Sequence, residues 1–460
     1  MSAVRIVQKY KNSSKIPIYW DCEQPGVEVI LYWEMDNTRY ICNGDCANCR
    51  FVRGSRYCNI EDSRSRFAHR IDRVLTNRWL GIPILFAVLF GIFELTFTIG
   101  AYPQRWIETG VDLLSQSIGR TMGPGWVSSL VADGIVQGCG AVVAFLPNIF
   151  ILFFFLSLLE DSGYMARAAY LMDKLMHAIG LHGNSFVPMI VGFGCNVPAI
   201  MAAKSIRNSK DRRLTMLMIP FMSCSARLPV YLLMAAAFFP GHSALIMIGL
   251  YLTGILFSIL FAFVMKNTKW FRKGKNDDIF TLPGLRFPDQ KMMWGHVWER
   301  CKDYLQKITT VILAASVIIW ALGYFPMKDG RPAAQDSSYL ASIGKRLEPV
   351  MAPIGFDWRM NVCVLTGLPA KEAIVSTMGI LYHNEEGESL AEDLRTSGAF
   401  TTASAVSFLL FVLLYFPCIA TVRTLRKEIG RRWALFTVAH SLLLAWGVAF
   451  LANLLVGALL

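Results

Sequence analysis

Three thiols and one carboxylate lie in apolar stretches that glycine or proline interrupts. These stretches and their reactive residues are 192–198 with Cys195, 223–229 with Cys224, 367–372 with Glu372, and 416–420 with Cys418. A helix that breaks inside a bilayer frees backbone carbonyls, which is tolerated only where they line a cavity or are buried in protein. Thiolate, carboxylate and carbonyl ligands together suit a divalent transition-metal cation. The pattern therefore predicts a cation path lined by these four side chains.

The same positions also have structural explanations. Cysteine is a small residue that fits tight contacts between helices, so packing alone accounts for a single thiol. Three thiols, each in an interrupted stretch, favour a cation path over packing as the explanation. Asn196 follows Cys195 and offers an amide oxygen to the cation, or else it caps freed backbone groups.

Ionisable residues near or within apolar stretches are the next candidates. Lys371 and Glu372 are adjacent, and each costs about 2.5–3.5 kcal/mol to insert, so they need a partner, a cavity or a function. Glu372 is predicted to coordinate the cation, and Lys371 to pair with a carboxylate or to reach outward. A structural ion pair is the alternative. Glu160 and Asp161 end the second predicted span, where they anchor the helix, bind Arg167 or attract cations.

A second group of thiols precedes the first long apolar stretch. Its members are Cys42, Cys46, Cys49 and Cys58, with Cys22 upstream. Close cysteines in a segment too short for a large core predict a metal site in a reducing compartment. Their number and spacing suit zinc and an iron–sulfur cluster equally. Free thiols are the alternative.

Composition places the chain in a membrane. Of its 460 residues 54% are hydrophobic, and the mean hydropathy of +0.42 is too high for a soluble protein of this length. The net charge of +12 would otherwise suggest a nucleic-acid partner. The basic residues instead cluster between apolar stretches, at 204–213, 266–275 and 423–432. Short basic loops face the cytoplasm, so the charge indicates orientation, with the N-terminus also inside.

Membrane helices are the elements that must position these residues. Seven apolar stretches are long enough to span a bilayer, namely 79–101, 141–160, 214–239, 243–265, 307–325, 399–421 and 434–458. Two shorter interrupted stretches, 186–203 and 362–382, are predicted to be re-entrant, because counting them as spans would divide the basic clusters between the two sides. The predicted fold class is therefore an all-α polytopic membrane protein.

The predicted elements repeat in the same order. A span, a broken segment and two further spans occupy 141–292, and the same order recurs in 293–460. The two broken segments enter from opposite sides, which is the pattern of inverted repeats with a binding site near the midplane. A cytoplasmic cysteine-rich segment, 1–70, and a first span with an outer loop, 71–140, come before them. An amphipathic helix at 293–306 is predicted to lie at the inner interface ahead of the fifth span.

Five motifs in order along the chain carry a family resemblance. The four interrupted stretches, with Leu-Glu-Asp-Ser-Gly-Tyr-Met-Ala-Arg-Ala at 159–168, resemble the membrane portion of the ferrous iron transport protein B family. In that family a pair of gate domains, shared with nucleoside-recognition membrane proteins, surrounds the proposed iron path. The resemblance begins near residue 71 and implies that Cys195, Cys224 and Cys418 occupy the family's thiol positions. It also implies that Glu372 is the carboxylate of the second gate.

The sequence departs from that family in one respect. Family members typically carry an N-terminal GTP-binding domain, whereas no Gly-x-x-x-x-Gly-Lys-Ser/Thr loop occurs here. We therefore expect that the chain is not itself an enzyme and that any coupling to GTP uses a separate GTPase subunit. Besides the lipid bilayer, the expected partners are small cytoplasmic iron-transport accessory proteins and further copies of the chain. No nucleic-acid partner is expected.

The predicted function is transport of Fe²⁺, or of another divalent metal cation, across a prokaryotic plasma (inner) membrane into the cytoplasm. Two alternatives remain open from the sequence. Gate-domain relatives also handle nucleosides, and a carrier of nucleosides or other small solutes would not need the thiols. A membrane oxidoreductase with an iron–sulfur N-terminus would need a second redox centre, and the sequence places no histidine pair for haem in the membrane.

Overall fold

The structure is a computed structural model in which two compact units, Met1–His69 and Arg70–Leu460, are described separately. It describes residues 6–10, 28–35, 38–45, 73–123, 125–144, 146–206, 208–268, 270–271, 290–325, 338–382 and 390–459. The predicted metal ligands Cys46, Cys49 and Cys58 lie outside these residues.

The first unit contains a three-stranded sheet that the sequence did not predict. Its strands are β1 (Ile6–Tyr10), β2 (Glu28–Met35) and β3 (Thr38–Asp45). Strand β2 pairs in parallel with β1 and antiparallel with β3, and Cys42 on β3 is opposite Leu31. The run Val-Ile-Leu-Tyr-Trp in β2 is typical of a strand, because branched and aromatic side chains fit a pleated surface.

Ten helices of the second unit are described between residues 78 and 266, the first two of them in the predicted segment 71–140, the third across its end, and the others in the first predicted repeat. They are α1 (Arg78–Met122), α2 (Trp126–Ser129), α3 (Gln137–Ala144), α4 (Leu146–Asp161), α5 (Tyr164–Ala178), α6 (Phe186–Gly194), α7 (Asn196–Ala202), α8 (Ser209–Met218), α9 (Leu228–Phe238) and α10 (Ser243–Lys266). A π-helical stretch, Leu130–Val136, joins α2 to α3. Helices α4 and α5 are bent by 81° at Gly163, whose φ of 76° ends the first helix.

Eight further helices are described in the second predicted repeat. They are α11 (Gln290–Tyr324), α12 (Tyr339–Met351), α13 (Trp358–Thr366), α14 (Ala373–Tyr382), α15 (Leu390–Thr396), α16 (Thr402–Leu414), α17 (Ile419–Ile429) and α18 (Arg431–Leu459). The amphipathic stretch 293–306, predicted as a separate interfacial helix, is continuous with the fifth predicted span in α11.

Membrane-spanning helices are present in the described part of the chain. Five helices, or six if the bent pair α4–α5 is one span, are long and apolar enough to cross a bilayer. The five are Trp79–Met122, Ser209–Phe238, Ser243–Lys266, Thr402–Ile429 and Arg431–Ala458. The all-α polytopic membrane fold is thereby confirmed for this unit, whereas the count of seven spans and the inverted orientation of the repeats remain predictions.

Helix breaks occur at all four predicted motifs. Cys195 has extended backbone, with φ −153° and ψ 132°, between α6 and α7. The other breaks are residues 222–224 before the 3₁₀ turn Ser225–Arg227 and α9, residues 367–372 between α13 and α14, and residues 415–418 between α16 and α17. Each repeat therefore contributes two breaks, and a long helix, α10 or α18, follows them.

Tight packing fixes helix α16, which ends at the fourth break. The Ser407 hydroxyl on α16 lies 2.7 Å from the carbonyl oxygen of Ile354 and 3.1 Å from that of Ala449 on α18. The ring of Phe356 packs against those of Phe408 and Phe411, with centroids 5.4 and 5.2 Å apart. Because these groups are buried in the core, α16 presents its C-terminal end in a defined position.

Candidate functional site

The four helix breaks meet at one cavity of about 130 Å³. All five predicted path residues line it, and so does Lys371: the set is Cys195, Asn196, Cys224, Lys371, Glu372 and Cys418. Thr96 and Phe97 of α1, Asn148 of α4 and Ile312 of α11 complete much of the wall. Residues far apart in the sequence are thus brought together.

The first break places Cys195 at the cavity through its extended backbone. The amide of Cys195 still donates to the Val191 carbonyl at 3.1 Å, which closes the end of α6. Close packing requires the neighbouring glycine, because a side chain at Gly194 would meet the Phe93 ring at 2.9 Å. The hydroxyl of Ser225, beside the second break, donates to the Gly194 carbonyl at 2.9 Å. The first and second breaks are therefore joined.

A buried guanidinium supports the second break. Arg227 is 1% exposed, and its guanidinium donates to the Met222 carbonyl at 3.3 Å and to the Pro220 carbonyl at 3.5 Å. These are carbonyls freed where the helix stops before Cys224. A hydroxyl pair, Ser223 to Tyr231 at 3.0 Å, supports the same break. Arg227 thus satisfies backbone groups that a bilayer could not.

A buried lysine joins the third and fourth breaks. Lys371 is 2% exposed, so it does not reach outward, as the sequence had allowed. Its Nζ donates to the Phe416 carbonyl at 2.7 Å and lies 3.2 Å from the centroid of the Tyr415 ring. The Ile419 amide also donates to the Leu368 carbonyl at 3.1 Å. These bonds place Glu372 and Cys418 on the same cavity wall.

Two amide oxygens at the cavity wall have no hydrogen-bond partner within the described part of the chain. They belong to Asn196, which is 5% exposed, and to Asn148, which is 8% exposed. The other amide atom of Asn148, Nδ2, donates to Gln104 at 2.6 Å, which fixes the side chain. Buried polar atoms are normally paired. Unpaired carbonyl-type oxygens beside three thiols are therefore candidate cation ligands.

Other predicted residues lie elsewhere. Glu160 and Asp161 end α4 and are not among the described residues that line the cavity. Asp161 accepts a hydrogen bond from Ser157 at 3.2 Å, and Arg167 donates to the Gly163 carbonyl at 2.7 Å. This arrangement fits a structural role at the helix bend.

Two wall residues were missed by the sequence reasoning. Arg227 stands within an interrupted motif and carries a charge in an apolar stretch, a signal that would have marked it. Asn148 is a polar residue in the apolar stretch that begins α4, but nothing local indicates that it faces the cysteines. Its place in the wall depends on the packing of α4 against the breaks.

Discontinuous helices in two repeats around a buried cavity define a polytopic membrane protein of the gate-domain class. A family model described as "Gate: Nucleoside recognition" matches residues 142–238 and 305–432, one segment in each repeat. A second model, described as "Ferrous iron transport protein B C terminus", matches residues 247–300. The chain belongs to the ferrous iron transport protein B family, which confirms the resemblance inferred from its motifs.

Curated relatives extend over most of this chain. A Porphyromonas gingivalis "Fe(2+) transport protein A/Fe(2+) transporter FeoB fusion protein" is 43% identical, over 83% of this chain and 51% of the relative. "Fe(2+) transporter FeoB" of Campylobacter jejuni is 39% identical, over 83% and 64%, and that of Methanocaldococcus jannaschii is 36% identical, over 84% and 58%. The chain thus spans between half and two thirds of these relatives. No solved structure gives a significant match.

The relatives and the apolar helices identify a multi-pass membrane protein of prokaryotic type. The relatives are named as transporters rather than as enzymes. The orientation of the N-terminus across the membrane remains a prediction.

Proposed function

We propose that this chain carries Fe²⁺ across the prokaryotic plasma membrane into the cytoplasm through the cavity at the four helix breaks. One observation carries the proposal, namely that three cysteines, a glutamate and two asparagines with unpaired amide oxygens, from separate segments, line one small cavity. The names of the relatives, which describe Fe²⁺ transporters, support the same cargo.

The ligand set suits a borderline divalent ion that must be released again. Cys195, Cys224 and Cys418 supply soft sulfur, while Glu372 and the asparagine amides supply hard oxygen. A transport site must replace water around the ion without holding it tightly. The buried guanidinium of Arg227 opposes a permanently bound dication, which favours release. Rocking of the two repeats about the cavity would expose it to each side in turn.

Uptake of Fe²⁺ into proteoliposomes tests the proposal. The purified full chain is reconstituted under anaerobic reductant, with Zn²⁺, Mn²⁺ and a nucleoside as competitors. The combined Cys195→Ala, Cys224→Ala and Cys418→Ala variant should lose at least about tenfold in uptake, because even outer-shell changes weaken metal sites about 10- to 100-fold.

A matched control uses three other described cysteines that do not line the cavity. Replacing Cys139, Cys301 and Cys363 with alanine removes the same number of thiols and should leave uptake near that of the parent. Equal uptake by the two triple variants would contradict the proposal.

The cavity volume argues against a nucleoside cargo. Sites for drug-sized organic molecules are roughly 300–1,000 Å³, whereas this cavity is about 130 Å³. Thiols would also contribute little to the binding of a sugar or a base. Competition by the nucleoside in the uptake assay would reverse this conclusion.

We further propose that the chain works with separate proteins. The Porphyromonas gingivalis relative is named as a fusion with Fe²⁺ transport protein A, which supports a small accessory protein of that kind as a partner here. A GTPase subunit would supply any dependence of uptake on GTP. The measurement is whether either protein, when added, stimulates Fe²⁺ uptake into the proteoliposomes.

The cysteines of the N-terminal unit are proposed to hold zinc or an iron–sulfur cluster on the cytoplasmic side. The proposal is supported by the spacing of Cys42, Cys46, Cys49 and Cys58 alone. Metal analysis and a visible spectrum of the full chain, before and after replacement of these cysteines with serine, decide it. Zinc gives no visible band, a cluster gives one that dithionite bleaches, and an unchanged metal content contradicts both.

A further inference from the structure

A second group of metal-ligating side chains lies at the end of α5, outside the cavity wall. Asp173 and His177 are one helical turn apart, and His182 follows in the short loop before the 3₁₀ turn Gly183–Ser185. The ligand atoms of these three side chains all lie within 4.8 Å of one another. None of the three lines the cavity described above.

A fourth side chain approaches this group from another helix. Asp211 on α8 has Oδ2 3.6 Å from Nε2 of His182, and its side chain is 3% exposed. Within the group, Nδ1 of His177 is 3.2 Å from Oδ1 of Asp173. The two imidazole rings meet edge to face with centroids 4.8 Å apart. Two imidazoles and one carboxylate thus lie together, and a second carboxylate, that of Asp211, approaches them at His182.

The loop that carries His182 is held in place by backbone bonds. Gly180 has a φ of 89°, which reverses the chain after α5. The Gly183 amide donates to Oδ1 of Asp173 at 2.8 Å, so the same carboxylate fixes the loop. On the α8 side, Thr215 donates to the Ser185 hydroxyl at 2.8 Å. The position of His182 between α5 and Asp211 is therefore determined before any ion binds.

The group is open to water on one side. The side chains of His177 and Asp173 are 51% and 34% exposed, whereas His182 is 17% exposed. Gly180 lies against the Lys266 side chain, and Asp211 belongs to the basic cluster at 204–213. The group therefore occupies the face of the membrane unit that the basic clusters predict to be cytoplasmic.

We propose that Asp173, His177 and His182 bind a divalent transition-metal ion, with Asp211 as the fourth ligand. Imidazole nitrogen with carboxylate oxygen suits Zn²⁺, Fe²⁺ or Co²⁺, whereas Ca²⁺ and Mg²⁺ prefer oxygen alone. Metal bonds of about 2.0–2.2 Å require these side chains to rotate towards a common point from the present separations. Asp173 has a structural role because it holds the loop, and His177 is favourably placed at the C-terminal end of a helix. These separate roles do not explain why His182 approaches Asp211. The site stands whichever cargo the cavity carries.

Anaerobic titration with Co²⁺ tests this site in the full chain. The protein is stripped of metal in detergent, and Cys42, Cys46, Cys49 and Cys58 are replaced with serine to remove the N-terminal thiols. Binding here should give visible d–d bands without the sulfur-to-cobalt charge-transfer band that the cavity thiols would give. The His177→Ala/His182→Ala variant should bind Co²⁺ more than about tenfold more weakly in these bands, since changes outside the ligands alone cost about 10- to 100-fold.

His242→Ala serves as the matched control, because it removes an exposed histidine outside the group. Its titration should coincide with that of the parent. If the Co²⁺ titration of the double variant coincides with that of the parent, the proposal is overturned. If the double variant does not fold, His177→Gln replaces it, since this exposed side chain is not needed for the contact between Asp173 and Gly183. An unchanged Co²⁺ affinity in that single variant would overturn the proposal equally.

Discussion

The two repeats hold their helix breaks open in different ways. In the first repeat, Arg227 binds the carbonyls of Pro220 and Met222 within its own segment, through long bonds of 3.5 and 3.3 Å. In the second, Lys371 reaches from one broken segment to the Phe416 carbonyl of another at 2.7 Å. In the first repeat, the hydrogen bond found between the two breaks in the described residues is that of the neutral Ser225 hydroxyl. We therefore expect that a substitution that loosens one break of the second repeat also loosens the other. The two breaks of the first repeat should loosen more independently of each other.

The largest effect is expected from Lys371→Met. This change leaves the buried Phe416 carbonyl without its hydrogen bond, and an unpaired buried acceptor costs about 1–3 kcal/mol. The free energy of unfolding should fall by that amount. Alkylation of Cys418 by a maleimide, followed by mass spectrometry, should become faster because the fourth break loosens.

Arg227→Met provides the comparison for Lys371→Met. Its carbonyl partners lie before Cys224, so alkylation should increase at Cys224 and much less at Cys418. The same pattern of alkylation in both variants would show that the two repeats do not differ in this way.

A smaller effect is expected where α10 packs on the turn before the second break. A methyl group at Gly254 would lie 2.8 Å from the Phe221 carbonyl oxygen, whereas Gly249 on the same helix has open space. Gly254→Ala should cost about 1–3 kcal/mol through overpacking, and Gly249→Ala should stabilise by up to about 1 kcal/mol through helix propensity. Thermal unfolding in detergent measures both, and equal midpoints would contradict the packing.

Asn148→Leu separates cation binding from stability. Removal of its bond to Gln104 should cost about 0.5–1.5 kcal/mol, but Fe²⁺ uptake should fall more than this predicts because a side-chain amide is removed from the cavity wall. Gln104→Leu breaks the same bond from a residue that does not line the cavity. Equal uptake by these two variants would exclude Asn148 as a ligand.

The smallest effect is expected at the surface contact between the repeats. Lys204 lies 2.8 Å from Glu428 of α17, and its side chain is 45% exposed. Exposed ion pairs contribute about 0–1 kcal/mol and are screened by salt. Lys204→Ala should therefore lower the unfolding midpoint slightly at low salt and not at high salt. A large, salt-independent loss would mean that this pair holds the repeats together.

The helix breaks could be predicted from the sequence, because their signal is local. Glycine or proline beside Cys195, Cys224, Glu372 and Cys418 interrupts apolar stretches that are otherwise helical. Convergence of these breaks on one cavity followed from the repeat pattern and the family resemblance, and the cavity wall contains all of them.

Features set by distant contacts could not be predicted. The bond from Lys371 to the Phe416 carbonyl spans 45 residues, so the sequence left the lysine with a choice of partners. The same holds for Asn148, whose place in the wall depends on how α4 packs. The approach of His182 to Asp211 also depends on a loop and a second helix.

Iron X-ray absorption tests the central claim most directly. The full chain, with its N-terminal cysteines replaced by serine and with His177→Ala and His182→Ala, is loaded with one equivalent of Fe²⁺ under anaerobic conditions. Sulfur scattering at about 2.3 Å is predicted in this chain. It should be retained when Cys139, Cys301 and Cys363 are replaced with alanine and lost when Cys195, Cys224 and Cys418 are. Scattering from nitrogen and oxygen alone in the chain with intact cavity thiols would contradict the thiol-lined path.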